Sequence, residues 1–403
     1  MTSLTGTRIA TRLNGHMQLS DLFPRPGHVQ RLYCHHCRWP LDLTFTNFHE
    51  DVSGVDISIA GLPILRCTGC NKDYLPDRSR FAIIEQHKRA TERGISSVTV
   101  TRSRLTKDFG FTKISFIYDP DDYYYIPGLE RPFNVGFLTP VYFNRAVLLK
   151  YDASPTCHVK FASTTYGTIY GEDFSISFGI NKNGKVVMWL GDIADLPEAE
   201  QYYLRSENVA SDHSVGSQFY DGQIEGIFTD PSAETKLFSL RSEFVDACFK
   251  KFGVKIAHLD NEVMDLAGGF NAPVVDSEKE RRHVADILNK IYVESFDRTA
   301  LGGIVSKAGG DPNDLGSLRR LQLALESVGS TADVPKLLSP FFALYDLRVA
   351  YSHLTPAETA KTVLKTVTDR LAIAEASSLP VVYERLLGEM INSFQKLTEV
   401  VKT

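Results

Sequence analysis

Cys34-His-His-Cys37 and its echo Cys67-Thr-Gly-Cys70 decide how the N-terminal part of the chain is read. Each pair sets two thiols on one tight turn, and 29 residues separate the pairs. Two such turns present four thiolates that close a tetrahedron around zinc and leave no position open for a substrate. Cys34, Cys37, Cys67 and Cys70 are therefore expected to hold a structural Zn2+ that contributes folding free energy, not catalysis. Gly69 is expected to give the second turn the geometry that points amides at the sulfurs. Four of six cysteines in such pairs, in a chain of 403 residues, make a metal site and not a disulfide framework. That usage places the protein in the cytoplasm. A redox or free dithiol pair is the alternative, with His35 and His36 at the surface or one of them replacing a cysteine ligand.

The segment around the two pairs, about 40 residues, resembles a zinc ribbon. Such ribbons hold nucleic acid or protein partners. The stretch that follows favours nucleic acid: Arg78, Arg80, Lys88, Arg89, Arg93, Arg102, Arg104 and Lys107 face only Glu85 and Glu92 between residues 78 and 107. Residues 1–107 carry 15 Lys/Arg against 9 Asp/Glu, and the remainder 29 against 40, although the whole chain is net −5. A polarised chain can present one basic face, or simply a solvated surface. Phe81 is the one clear aromatic interleaved with these cations, which is thin for a single-strand binder.

Working outward, the chain reads as α+β in three parts: a zinc-ribbon segment with its basic flank over 1–94, a β-rich domain over 95–231, and an all-α domain over 232–403. Met1–Ser20 has no apolar block and reads as a leader without a fold, not a secretory signal. No apolar run is long enough to span a membrane. In the middle, Phe174, Ile176 and Phe178 alternate with serines, Asn181-Lys-Asn-Gly184 supplies a turn, and Val186–Leu190 follows, which predicts a hairpin. Ser97–Thr101, Lys113–Tyr118 and Tyr142–Lys150 are expected as further strands. Tyr123–Tyr125 is expected at a loop edge, Leu196–Tyr203 as a short helix, and Ser211-Asp-His213 in a loop.

The C-terminal part has helical punctuation. Ser277-Glu-Lys-Glu280 fits a capping box, and Val284, Ile287, Leu288, Ile291 and Tyr292 follow on one face. Leu318, Leu321 and Leu325 mark a second helix, and Phe341, Leu344, Leu347 and Tyr351 a third. Thr355-Pro-Ala-Glu358 is expected to open another, and Leu379–Val401 the last.

Asp346-Leu-Arg348-Val-Ala-Tyr-Ser-His353 closes the third of these helices. Its Arg-x4-His spacing resembles the signature of HEPN-domain ribonucleases, although Val349 stands where that family commonly has a polar residue. The resemblance implies an all-α bundle that dimerises, so that two motifs meet in one cleft. In it Arg348 would stabilise the scissile phosphate and His353 would assist proton transfer at the 2′-hydroxyl, without a divalent metal. On an unbroken helix, five residues turn side chains roughly 140° apart, so a helix break is required between or just after them.

Two functions stay open on this evidence. The first is an endoribonuclease effector, of the toxin or phage-defence kind, whose N-terminal parts sense or position a trigger. The second is a non-enzymatic zinc-ribbon protein that binds nucleic acid or protein through its N-terminal parts and dimerises through an inert helical bundle. A third, metal-dependent hydrolysis at His258-Leu-Asp260-Asn-Glu262 with Asp212 or His213, lacks a recognisable ligand spacing. No Walker A loop, dinucleotide fingerprint or nucleophile elbow is present, which disfavours ATPases, nicotinamide enzymes and α/β-hydrolases.

Overall fold

One long hairpin brings the two cysteine pairs together. In the computed structural model, residues 17–23, 29–227, 230–270, 272–354 and 356–402 are described. Strands β1 (Leu41–Val52) and β2 (Val55–Cys67) pair antiparallel from end to end, with Leu41 opposite Cys67 and Val52 opposite Val55. Ser53 and Gly54, at φ 49° and 87°, make the two-residue turn whose twist suits a hairpin. The first cysteine pair lies just before β1 and the second begins at the end of β2. The 29-residue spacer is therefore the hairpin itself. Strand β3 (Asp73–Tyr74) continues from the second pair and adds to β2 antiparallel. Helix α1 (Asp77–Arg93) then crosses over, burying Ile83 and Ala90 against the sheet, and β4 (Ser97–Thr101) pairs parallel with β2.

After α2 (Pro120–Tyr125) comes a six-stranded antiparallel sheet. It is built from β5 (Pro140–Phe143), β6 (His158–Ser163), β7 (Tyr166–Tyr170), β8 (Ser175–Ile180), β9 (Val186–Trp189) and β10 (Asn208–Val209). The strand order is β10-β5-β9-β8-β7-β6. Short helices α3 (Leu149–Ala153), α4 (Leu190–Ala194), α5 (Glu198–Glu207) and α6 (Gln218–Tyr220) connect or flank these strands. Leu32, Cys34, Cys67, Tyr74, Tyr123, Tyr142, Trp189 and Phe219 share one core. The cysteine turns, α2 and the second sheet are thus packed as one body.

Compactness divides the chain once, between Asp230 and Pro231. The boundary expected at 94/95 has no counterpart, because β4 lies beyond it and completes the sheet of β1 and β2. The Phe174–Leu190 hairpin forms as β8 and β9, with Asn181 accepting the Asn183 and Lys185 amides inside the turn and Gly184 at φ 76°. Lys113–Tyr118, by contrast, is not a strand. The Asn208 side chain donates to the Ile117 carbonyl (3.0 Å) and accepts its amide, so a side-chain amide stands in for a neighbouring strand. The strand expected over Tyr142–Lys150 stops at Phe143, where a helical turn over 145–148 leads into α3. Tyr123–Tyr125 is helical: Asp119 accepts the Asp121 amide (2.9 Å) and Pro120 takes the first position of α2. In α5, Pro197 caps the helix instead of starting it.

Residues 231–402 form a helical unit of α7 (Ala233–Phe252), α8 (Asp260–Gly269), α9 (Glu278–Asn289), α10 (Arg298–Lys307), α11 (Ser317–Glu326), α12 (Val334–Ser352), α13 (Ala357–Leu371) and α14 (Leu379–Lys402). Helix α12 packs on α9, α13 and α14, and α14 on α7. Phe394 of α14 meets Phe244, Tyr292 and Phe341 at the centre. Ser277 caps α9 by accepting the Glu280 amide (3.2 Å). A π-helical turn over Lys290–Glu294 follows α9. The cap expected at Thr355 lies outside the described residues; Pro356 stands at the N-cap of α13. Most of the expected leader also lies outside them, but Met17 bridges to Val52 and Leu22 is buried.

Candidate functional site

Cys34, Cys37, Cys67 and Cys70 converge, their four sulfurs lying within 4.8 Å of one another. Cys34 Sγ is 3.5 Å from Cys70 Sγ, and Cys37 Sγ is 3.4 Å from Cys67 Sγ. Those separations exceed a disulfide bond of about 2 Å. They approach the spacing of about 3.8 Å that tetrahedral thiolates adopt around zinc.

The two turns share one backbone design. The Cys34 amide donates to the Trp39 carbonyl (2.9 Å) and the Arg38 amide donates back to the Cys34 carbonyl (2.9 Å). The Cys67 amide donates to the Lys72 carbonyl (2.9 Å) and the Asn71 amide to the Cys67 carbonyl (2.8 Å). The left-handed position of each turn is the residue after its second cysteine, Arg38 at φ 62° and Asn71 at φ 55°. Gly69 is not that position. It is needed for space, since a Cβ there would lie 3.2 Å from Trp39 Cγ and 3.5 Å from Cys37 Sγ.

Burial raises the Cys34 thiol, but the Tyr74 hydroxyl, 3.2 Å from its sulfur, and the Cys37 and His36 amides outweigh it and bring its pKa down to about 6. Burial pushes Cys67 up to about 12 against the amides of Cys70 and Gly69, so a thiolate there needs a cation. The four cysteines can hold a metal ion in a closed set. His35 lies edge-on to Tyr74, 5.7 Å between ring centres, and neither His35 nor His36 belongs to the cluster.

The basic stretch after the cysteines is largely neutralised by the fold. Arg80 is buried and donates to the Leu75 carbonyl (3.0 Å), so it cannot reach a phosphate and is a structural residue. Arg78 pairs with Glu130 (Nε–Oε2, 2.8 Å) and covers the Tyr124 ring. Arg102 forks onto the buried Asp121 and rests on Tyr125. On α1, Lys88 and Arg89 pair with Glu92 and Glu85, and both cations stay exposed. Arg104 is the most open of the two loop arginines, with Asp119 at 4.0 Å and the Phe45 ring beneath it.

In the helical unit, Arg348 lies near the end of α12, with Glu294 at 3.2 Å and Asp286 at 3.7 Å. Asp346, two residues earlier on the same helix, pairs with Arg370. Helix α12 ends at Ser352, and His353 follows in an extended conformation, exposed. Among the described residues no hydrogen bond or ion pair joins His353 to Arg348. His258 falls between α7 and α8, facing the Glu294 carbonyl, and Asp260 opens α8 and pairs with Lys255. Asp212 and His213 belong to the other unit, and the four cysteines are the metal-compatible cluster found among the described residues.

One constellation was not foreseen. The loop Ser211–His213 meets Asp122 of α2: His213 Nδ1 lies 2.7 Å from Asp122 Oδ1, and the Ser211 hydroxyl donates to Asp122 Oδ2 (2.6 Å). About ninety residues separate the partners, so no spacing signals the pair; only the acidic cap of α2 could have drawn attention to it. No protein-family model, curated protein or solved structure matches the chain.

Proposed function

We propose that the chain is a cytoplasmic zinc-ribbon protein whose helical unit is a metal-independent endoribonuclease of the HEPN kind, used as a toxin or phage-defence effector. The observation that carries this reading is the break after Ser352, which frees His353 from the helix that bears Arg348 and leaves its imidazole exposed. A second copy of the chain, bringing its own Arg348 and His353, completes the site. An imidazole titrates near neutral pH and a guanidinium forks onto a phosphate. One His353 takes the proton of the 2′-hydroxyl as O2′ bonds to phosphorus. The P–O5′ bond breaks, and the second copy's imidazolium protonates the leaving O5′, giving a 2′,3′-cyclic phosphate. Arg348 exchanges Asp286 and Glu294 for the phosphate, which is feasible because such half-exposed pairs are worth only about 0–1 kcal/mol.

The metal is zinc by donor chemistry, since four thiolates in a tetrahedron suit zinc or iron and zinc alone needs no redox partner. All six cysteines are free of disulfides, as a reducing compartment would keep them.

The ion pairs of Arg348 favour the second reading, a zinc-ribbon protein that binds a nucleic-acid or protein partner through residues 17–230, with an inert helical dimerisation bundle. Expression of the wild type beside Arg348→Ala and His353→Ala separates the two. Growth arrest and RNA breaks ending in cyclic phosphate, absent from both folded variants, are expected from the ribonuclease. Equal behaviour of all three proteins, with phage infection as the trigger, would assign the motif to structure. Elemental analysis should find zinc; iron would overturn the metal assignment.

A further inference from the structure

Asp122 is wholly buried, and a carboxylate without water needs a counter-charge. His213 supplies it. Burial works against a charge on this imidazole, yet the bond to Asp122, helped by Asp119, raises its pKa on balance, with Arg104 opposing. The loop is fixed besides: the Leu43 amide donates to the His213 carbonyl (3.1 Å), and His213 is held at φ 59°, a left-handed conformation that costs a residue with a Cβ. With Nδ1 given to Asp122, the remaining donor is Nε2–H, and the side chain keeps 19% of its surface open.

The ring neighbours Phe45 edge-on, 5.5 Å between centres. The guanidinium of Arg104 lies 4.6 Å from the centre of the same ring, and its side chain is 64% exposed. His213 and Arg104 therefore flank one aromatic ring, which Arg102, already forked onto Asp121, also approaches at 5.9 Å. The nearest carboxylate to Arg104, Asp119, is 4.0 Å away, beyond hydrogen-bonding distance. The interior behind is polar as well. Tyr142 is fully buried, and its hydroxyl lies within the influence of Ser211 and of the carboxylates of Asp122 and Asp212. A fold that needed only stability would put an apolar side chain in this place.

We propose that His213 Nε2–H and the Arg104 guanidinium form a recognition site for the phosphate of a small phosphate ester. Asp122 and Ser211 position the imidazole, and the guanidinium and imidazolium donate to phosphate oxygens. The anion relieves the repulsion between the two cations, which is the source of its affinity. The site lies in the unit that carries the metal centre and is a place for a small-molecule trigger. It stands apart from the ribonuclease reading, because its test reads binding alone.

The test titrates inorganic phosphate and, separately, AMP into the full zinc-loaded chain, following the imidazole signals of His213 by NMR and the heat by calorimetry. Saturable shifts at His213, with its pKa raised further by the anion, are expected. Arg104→Ala, on an exposed side chain, should keep the fold and weaken binding about tenfold or more. AMP tighter than phosphate identifies an ester; equal affinities identify the free anion as the ligand. His213 signals indifferent to both probes, or binding unchanged in Arg104→Ala, would overturn the site. Asp122→Asn, if folded, should lower the His213 pKa; if it fails to fold, the Arg104→Ala arm still decides.

Discussion

Residues 17–230 and 231–402 hold their folds by different means. The helical unit is cored by aromatic and aliphatic side chains, with Phe244, Tyr292, Phe341 and Phe394 gathered at its centre. The other unit carries four cysteine sulfurs at a metal-binding separation, a buried Asp122 and the buried hydroxyls of Tyr142 and Ser214. Burying polar groups costs stability unless a cation or a hydrogen bond compensates. A unit built in this way depends on a few cross-links, whereas an apolar bundle spreads its stability over many contacts. Single substitutions should therefore act in an all-or-none fashion in the first and by degrees in the second.

The largest effect is expected for Cys67→Ser, at the buried end of β2. Zinc held by four thiolates, as proposed above, would contribute an apparent binding free energy of about 10–16 kcal/mol at neutral pH. Loss of one ligand should abolish stoichiometric metal and melt residues 17–230, seen as lost near-ultraviolet dichroism. The helical far-ultraviolet signal of residues 231–402 should survive. A variant that keeps both its metal and its melting temperature would remove the contrast between the units.

Phe394→Ala is the counterpart in the bundle. Truncating a fully buried phenylalanine costs about 3–5 kcal/mol, depending on how far the cavity collapses. The expected outcome is a lower denaturant midpoint for the helical transition with metal content unchanged. A simultaneous loss of metal would show the two units to be one cooperative block.

Tyr74→Phe sharpens the comparison within the metal unit. Its hydroxyl contacts Cys34 Sγ at 3.2 Å, an interaction behind the ligand itself. Removing such a partner typically lowers metal affinity by about 10–100-fold. Competition with a chromophoric chelator measures it, and affinity equal to wild type would make the hydroxyl incidental.

The same contrast explains what could be read from the sequence. Helices rest on contacts three and four residues apart, so Ser277, Leu318 and Leu379 announced α9, α11 and α14 to within a residue or two, whereas Phe341–Tyr351 marked only the C-terminal part of α12, which begins at Val334. The β-rich unit rests on pairings whose partners are distant in the chain. The Asn181–Gly184 turn was legible because it is local. Ser53-Gly54 is just as local, yet the long hairpin went unread because the cysteines alone had claimed that region. Lys113–Tyr118 has the alternation of a strand, but its neighbour is the side chain of Asn208, 91 residues away. The cysteine cluster was legible because thiolate spacing is a chemical signal that needs no register. Asp122 and His213 have no such signal, and Arg80 looked like a surface cation until α1 buried it.

The smallest effect concerns pH and belongs to that unforeseen pair. Both partners have raised affinities for protons: burial is the main cause for Asp122, and for His213 the bond to Asp122 outweighs burial. The folded state thus binds more protons than the unfolded one, and stability must fall as pH rises. For His213 the contribution is fully present below its unfolded pKa of about 6.5 and disappears as pH climbs through the raised folded value. Beyond that point the imidazole is neutral and Asp122 is left buried without its counter-charge, with Asp119 adding repulsion. Melting of residues 17–230 followed between pH 6 and pH 9, in wild type and His213→Gln, isolates this term because the metal ligands are common to both. The wild type should lose stability across that window relative to the variant. Parallel curves would show that His213 is neutral throughout, and the carboxyl of Asp122 would then carry the proton itself.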